Sequence, residues 1–300
     1  MQIKPILPSF GAEISGLDFA SIDDSVQAKL QQAIDRWGVL VFRDTGLDDD
    51  GHVAFSRRFG YCEKAPTSPN RPARFAHPEL FNAGNLNADG TITSQSLRQQ
   101  RLGDRLWHTD SSFMEKRSSY SILLAHEVPG EGGETWFADT RGAYADLPQE
   151  MKDRIADLEL DHSIWHSRRL GGFPISEEEV DARAKARHRL VMTHKGSGRK
   201  NMYLAAHAMD VVGMDRAAGQ TLIGDLIAFA TRPHYIFSVS WQPGDMVMWD
   251  NLASMHRGGA YDIDGVRRDM RRTTIREEAA PAIEDDPFGE YFKVQMAIER

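Results

Sequence analysis

His108 and Asp110 stand two residues apart in Trp107-His108-Thr109-Asp110, and His256 follows far down the chain in Met255-His256-Arg257. On a β-strand, residues i and i+2 point to one face, so this imidazole and carboxylate aim at a common point. A second imidazole arriving there completes a facial set of two histidines and one carboxylate. Such a set suits non-haem Fe(II), because it leaves the opposite face of the metal open for oxygen and a chelating co-substrate. Alone, His-x-Asp is a common tripeptide, more often a core histidine beside a turn-capping aspartate. The surrounding residues decide its meaning.

The elements that must position these residues read as mostly β. Val39-Leu40-Val41-Phe42 is a short continuous apolar run, as expected of a buried strand. Further strands are expected near 118–125, 134–138, 203–206, 235–241, 246–249 and 267–275, with residues 1–20 extended and turning at Gly11 and Gly16. Helical spacing is clear over 22–37, with Ser21 and Asp24 resembling a capping box and Gly38 closing the helix. Helices are also expected over 47–59, 147–158 and 215–231, and a solvated helical face over 176–188. Residues 61–105 are rich in Pro, Asn, Gly and Ser and lack periodicity, which in a compact domain usually marks a binding loop. Strands spread along the whole chain, and no GxGxxG opens a helix, so an antiparallel β core with helical insertions is expected and a dinucleotide-binding fold is disfavoured.

Composition sets the bounds. The chain has 300 residues, 41% hydrophobic and 27% charged, an ordinary globular balance for one large domain or two. A net charge of −8 argues against general affinity for nucleic acid or anionic membranes, though a few placed arginines can still bind a small anion. Cys62 is the single cysteine, so no internal disulfide forms, which fits a reducing compartment. No apolar run approaches the ~20 residues that span a bilayer, and Met1-Gln2-Ile3-Lys4-Pro5 opens no signal peptide. A cytoplasmic protein is expected.

Four blocks then fall in one order: Trp107-His108-Thr109-Asp110-Ser111-Ser112-Phe113, Gly132-Gly133-Glu134-Thr135-Trp136-Phe137-Ala138-Asp139, Trp249-Asp250-Asn251 with Met255-His256-Arg257, and Arg267-Arg268-Asp269-Met270-Arg271-Arg272-Thr273-Thr274. Together they resemble the TauD/TfdA family of Fe(II)- and 2-oxoglutarate-dependent dioxygenases, over about residues 10–276. Phe55 to Gly60, Thr193 to Lys200 and Ala206-His207-Ala208 are similar to its 2,4-dichlorophenoxyacetate branch. The resemblance implies one domain over 1–300, with 277–300 as a C-terminal extension, folded as a double-stranded β-helix, a jelly-roll barrel around the metal. It implies His108, Asp110 and His256 as ligands of Fe(II), with O2 and 2-oxoglutarate as co-substrates. It also implies that Arg268 and Thr135 hold the far carboxylate of 2-oxoglutarate.

A carboxylate calls for a planar, permanently charged partner, and alternation puts Arg268 and Arg272 on one strand face and Arg267 and Arg271 on the other. Arg272 is expected to bind an anionic group of the prime substrate. This chain has one more residue than the usual family spacing between His256 and Arg268, in Asp262-Ile263-Asp264-Gly265. A register slip of one there exchanges the pair for Arg267 and Arg271. Asn85, in Gly84-Asn85-Leu86-Asn87, is either a turn residue or a polar group facing the pocket, and His207 is a further candidate substrate contact. His194 matches a position of the branch and is likewise a candidate substrate contact, whereas His162 and His166 are more simply structural.

The implied reaction hydroxylates a C–H of a small anionic organic substrate, with release of succinate and CO2. An aryloxyacetate would give a phenol and glyoxylate. The branch's lysines in 61–105 fall near Thr67 and Thr91 here, which keeps taurine, other alkylsulfonates and natural carboxylates open. A non-catalytic metal-binding module or a cupin-type barrel is the reading from another class, and paired arginines with Thr135 speak against it. Homo-oligomers are expected, with neither nucleic acid nor membrane as partner.

Overall fold

The structure is a computed structural model that describes residues 1–65, 73–93 and 102–278. Residues 279–300 of the C-terminal extension and parts of the 61–105 segment, Thr67 among them, therefore lie outside the described residues. Fifteen strands run along the described chain: β1 Gln2–Pro5, β2 Ala12–Ser15, β3 Val39–Phe42, β4 Phe81–Asn82, β5 Ser118–Glu127, β6 Thr135–Asp139, β7 Glu159–His162, β8 Ala186–Arg189, β9 Val191–Thr193, β10 Lys200–Met202, β11 Ala208–Val211, β12 Ile236–Val239, β13 Met246–Asp250, β14 Ser254–Gly258 and β15 Asp269–Arg276. Seven form one sheet in the order β1-β2-β3-β13-β5-β15-β4, and β12-β6-β14 form a second. Smaller sheets, β11-β7-β8 and β10-β9, lie beyond them. All neighbours are antiparallel except β2 and β3.

The central strands are buried on both faces, which explains their continuous apolar runs. Val39 and Val41 of β3 and Val247 and Trp249 of β13 pack with Phe137 of β6 and Phe237 and Val239 of β12, closing the space between the two sheets. Leu40, Phe42, Met246 and Met248 point the other way and pack on Leu30, Ala33, Ile34 and Phe55 of the helices Asp24–Trp37 and Asp49–Arg57. The three-stranded sheet alternates likewise. Phe137 and His256 face the first sheet, whereas Ala138 and Met255 pack under the helix Arg216–Ala230 through Leu222, Ile223, Leu226 and Ala230. Each fully buried leucine in that stripe contributes about 2 kcal/mol.

Three local expectations are corrected. The first long helix is capped by Asp23, whose carboxylate accepts from the Val26 N–H, and not by Ser21. Within 176–188 only Glu177–Asp181 is helical. Ala186–Arg189 is a strand with Ala186 and His188 inside, and Arg187 bonds Asp161 across the pair. There a period of two prevails over what reads as a charged helical face. Tyr203 to Ala206 is buried but joins no ladder. Its backbone instead bonds singly to Leu190 and Trp107.

Candidate metal centre and anion pocket

The space between the two sheets opens into a pocket lined from the small sheet by Thr135, His256 and Gly258, and from the large sheet by Leu123, Trp249 and Arg272. Pairing register explains this. His256 lies opposite Phe137, and Gly258 opposite Thr135, so His256 and Thr135 share one face. On the large sheet Arg272 lies opposite Leu123 of β5. Arg268 and Arg272 both line the pocket. Arg267 instead pairs with Glu127 at 3.0 Å outside, and Arg271 with Asp49 at 2.6 Å. The structure thus places Arg268 and Arg272 inward despite the extra residue upstream.

His108 joins His256 directly: each backbone N–H donates to the other's carbonyl, at 2.9 and 2.8 Å, and the ring centroids lie 4.2 Å apart. Ligand atoms of His108, Asp110 and His256 lie within 4.8 Å of one another, and all three residues are buried. The His108 Nδ1 lies 2.8 Å from the Leu106 carbonyl. A carbonyl can only accept, so Nδ1 carries a proton, and in the neutral ring Nε2 is the nitrogen that offers its lone pair to a metal. Burial, then the neighbouring His108 ring, holds the His256 imidazole well below its ordinary pKa, hence neutral. Burial alone would raise the Asp110 carboxyl, but the Arg272 guanidinium beside it outweighs burial and the pKa is held down at about 2. Two neutral imidazoles and one ionised carboxylate fit a divalent transition metal such as Fe(II). The His256 Nδ1 has no hydrogen-bond partner among the described residues.

Asp110 is held from several sides. Arg272 donates to Oδ1, Ser121 Oγ donates to Oδ2 at 2.7 Å, and Asn251 accepts from the Asp110 N–H at 3.3 Å. Asn251 also donates to Ser121 Oγ at 3.0 Å and accepts from Trp249 Nε1 at 3.1 Å, closing a small network behind the carboxylate. Ser111, just after Asp110, has φ +55°, a left-handed conformation rare for a non-glycine. Its hydroxyl donates at 3.2 Å to buried Glu63, which Ser118 also serves at 2.8 Å.

In the anion pocket, Thr135 Oγ accepts from Trp241 Nε1 at 3.1 Å, leaving its own proton for an anion. Arg268 lies beside it, with Nη1 donating to the Ala83 carbonyl at 2.7 Å. Asn85 lines the pocket, but its amide bonds protein groups. His207 lies behind the centre: its ring is 5.8 Å from that of His108 and 5.1 Å from that of Phe113, and Nδ1 meets Ser167 Oγ at 2.7 Å. It is not among the pocket-lining residues. His194 bonds Asp250 at 2.7 Å, and with Asp35 the three form a second close group. The Ser197 N–H donates to His194 Nδ1, so the proton sits on Nε2 facing Asp250, a hydrogen-bonded pair rather than a ligand set. Ser121, Glu63 and Trp241 escape sequence reasoning, since a strand serine, a loop glutamate and a core tryptophan carry no motif.

Comparison with known proteins agrees with this geometry. Residues 2–274 match the family model described as taurine catabolism dioxygenase TauD, TfdA family. The chain is 37% identical over 281 residues to an alpha-ketoglutarate-dependent 2,4-dichlorophenoxyacetate dioxygenase of Cupriavidus pinatubonensis, covering 92% of this chain and 98% of the relative. It is 39% identical over 249 residues to the protein of the same description from a Burkholderia sp., covering 82% and 84%. The crystal structure of AAD-2 in complex with Mn(II) and N-oxalylglycine superposes with a TM-score of 0.84 at 34% identity, covering 95% of this chain and all of that one. Among the described residues, no helix is long and apolar enough to cross a membrane.

Proposed function

We infer the function from one premise: this chain belongs to the TauD/TfdA family of dioxygenases. It is a 2-oxoglutarate-dependent dioxygenase, and we propose that its prime substrate is an aryloxyalkanoate, which it cleaves to a phenol and an oxoacid. The observation that carries this reading is that His108, His256, Arg268, Arg272 and Thr135 line one pocket, with the Asp110 carboxylate close beside the two imidazoles.

His108, Asp110 and His256 hold the Fe(II). When bound, the iron supplies oxygen activation coupled to decarboxylation of 2-oxoglutarate to succinate. Arg268 and the Thr135 hydroxyl take the far carboxylate of 2-oxoglutarate, the first as a charged fork and the second as a neutral donor. Arg272 takes the carboxylate of the prime substrate. Leu123 and Trp249 line the pocket with apolar surface, which excludes water from the reacting carbon. Hydroxylation at the carbon beside an ether oxygen gives a hemiacetal, which collapses without further help. From an aryloxyacetate the products are a phenol and glyoxylate. The two facing sheets are read as the halves of a jelly-roll barrel.

The test is succinate formation by anaerobically Fe(II)-loaded protein given 2-oxoglutarate and O2, across aryloxyacetates, aryloxypropionates, taurine and acyl amino acids. Stimulation by an aryloxyalkanoate with matching phenol release is expected. Stimulation by taurine instead would move the substrate to sulfonates. Background succinate with every member, from protein that binds Fe(II), would overturn the reading.

A further inference from the structure

Asn85 is 2% exposed, and every hydrogen-bonding group of its side chain is engaged within the protein. Nδ2 donates to the carbonyls of Ile263 and Val266 at 2.9 and 2.8 Å. Oδ1 accepts from the Arg268 backbone N–H at 2.8 Å. An amide offers two donors and an acceptor, so nothing is left to point at a ligand except the second lone pair of the oxygen. The backbone makes the same joint: the Asn85 N–H donates to the Arg268 carbonyl at 3.0 Å, and the Ala83 N–H to the Met270 carbonyl at 2.9 Å. A Cβ on Gly84 would come within 2.0 Å of the Arg268 carbonyl oxygen, so the two segments are packed as closely as backbones allow.

What Asn85 holds is the loop that carries the extra residue. Asp262 folds its tip by accepting from the Asp264 and Gly265 N–H groups at 3.2 and 3.0 Å, and the Val266 N–H returns to the Asp262 carbonyl. Two side chains of this loop, Tyr261 and Ile263, line the pocket. The Tyr261 ring lies 5.7 Å from the Arg268 guanidinium. One amide therefore fixes both the arginine that anchors an anion and the wall beside that anchor, and neither can shift without the other.

We infer that Asn85 is a positioning residue for the co-substrate carboxylate, and that Tyr261 and Ile263, on the loop it clamps, set the length of 2-oxo dicarboxylate that the pocket accepts. This rests on the function proposed above, with Arg268 as the co-substrate anchor. The pocket should favour 2-oxoglutarate over the longer 2-oxoadipate because the loop stands at a fixed distance from the metal ligands. Trimming the loop's side chains should relax that preference.

The experiment is anaerobic calorimetric titration of Mn(II)-loaded protein with 2-oxoglutarate, 2-oxoadipate and N-oxalylglycine, paired with KM for the prime substrate. Asn85→Ala is expected to weaken 2-oxoglutarate binding by about tenfold, as loss of the clamp's hydrogen bonds would. The prime-substrate KM should change by less than about threefold, since a bond to substrate is not what is lost. Ile263→Ala and Tyr261→Leu are expected to narrow the preference for 2-oxoglutarate over 2-oxoadipate by about tenfold. The loop variants carry the test if Asn85→Ala does not fold, because both side chains are partly exposed. A raised prime-substrate KM with unchanged 2-oxoglutarate affinity in Asn85→Ala would overturn the inference and make Asn85 a substrate contact. An unchanged preference in both loop variants would overturn it as well. If the unaltered protein binds neither 2-oxoglutarate nor N-oxalylglycine, the co-substrate reading itself fails, an outcome distinct from either.

Discussion

Asp110 is the residue on which the centre's charge balance turns, because the carboxylate faces Arg272, His256 and Ser121 at once. Removing it leaves two neutral imidazoles with nothing to offset a divalent charge. Outer partners of metal ligands commonly change affinity 10–100-fold, so Asp110→Ala should weaken Mn(II) or Fe(II) binding by more than about 100-fold and abolish succinate formation. Calorimetry with Mn(II) checks the first and a coupled assay the second, and full turnover in the variant would sink the ligand assignment. Arg268 and Arg272 separate by substrate. Arg268→Gln should raise KM for 2-oxoglutarate, and Arg272→Gln should raise KM for the anionic prime substrate. A charged hydrogen bond is worth about 2–3 kcal/mol, so each rise should be about 30–150-fold. The same KM rising in both variants would mean that the two arginines serve a single anion. Alternation alone groups Arg268 with Arg272 and Arg267 with Arg271, and the family resemblance chose the first pair as the inward one. The extra residue before Arg268 left that reading exposed to a slip, and register against β5 settles it at Arg272 opposite Leu123.

At the scale of elements, β5 contributes a residue that sequence patterning could not flag. Ser121 lies opposite Trp249 of β13 and Thr274 of β15, at the middle of the large sheet, and its hydroxyl joins Asn251 to Asp110. Ser121→Ala removes that link while leaving the strand intact, so it should weaken metal binding by about tenfold with little effect on Tm. Unchanged metal affinity would show that Arg272 and Asn251 suffice to orient the carboxylate. The strands themselves were readable wherever burial is one- or two-sided and regular. Val39–Phe42 follows from its apolar run, and the helix Arg216–Ala230 from its stripe of Leu222, Ile223 and Leu226. What was not readable depends on partners distant in sequence. Ala186–Arg189 carries alternating charges that suit a helix surface as well as a strand, and only pairing with Glu159–His162 decides between them. Asn85 likewise looks like a turn residue until the loop from Tyr261 to Val266 is folded against it.

At the scale of the whole molecule, stability should depend on pH through histidines buried as neutral rings. Burial is the largest cause for each: it pushes His52 and His166 down to about 4 and His162 to about 3. The unfolded chain takes up these protons near pH 6.5, whereas the folded chain refuses them until the lower values are reached. Over that window the unfolded state binds more protons, so stability is full above about pH 6.5 and falls as pH drops toward 4. Tm of chelator-treated protein measured from pH 8 to pH 4 should decline beginning near 6.5, and a flat profile between 7 and 5 would contradict neutral burial. Metal adds to this. Binding to the folded state alone contributes RT ln(1 + [L]/Kd), about 2.7 kcal/mol at a hundredfold excess of metal over Kd. For a chain of this size that corresponds to a rise of about 4 °C in Tm. Burial keeps the His256 imidazole neutral in the folded chain, so protons do not displace the metal from it between pH 7.5 and 5.5 and the rise should be nearly the same at both. Scans with and without Mn(II) at pH 7.5 and pH 5.5 read this directly. A rise that collapses at pH 5.5 would mean that protons displace the ion from its ligands, and would contradict the neutral burial of His256.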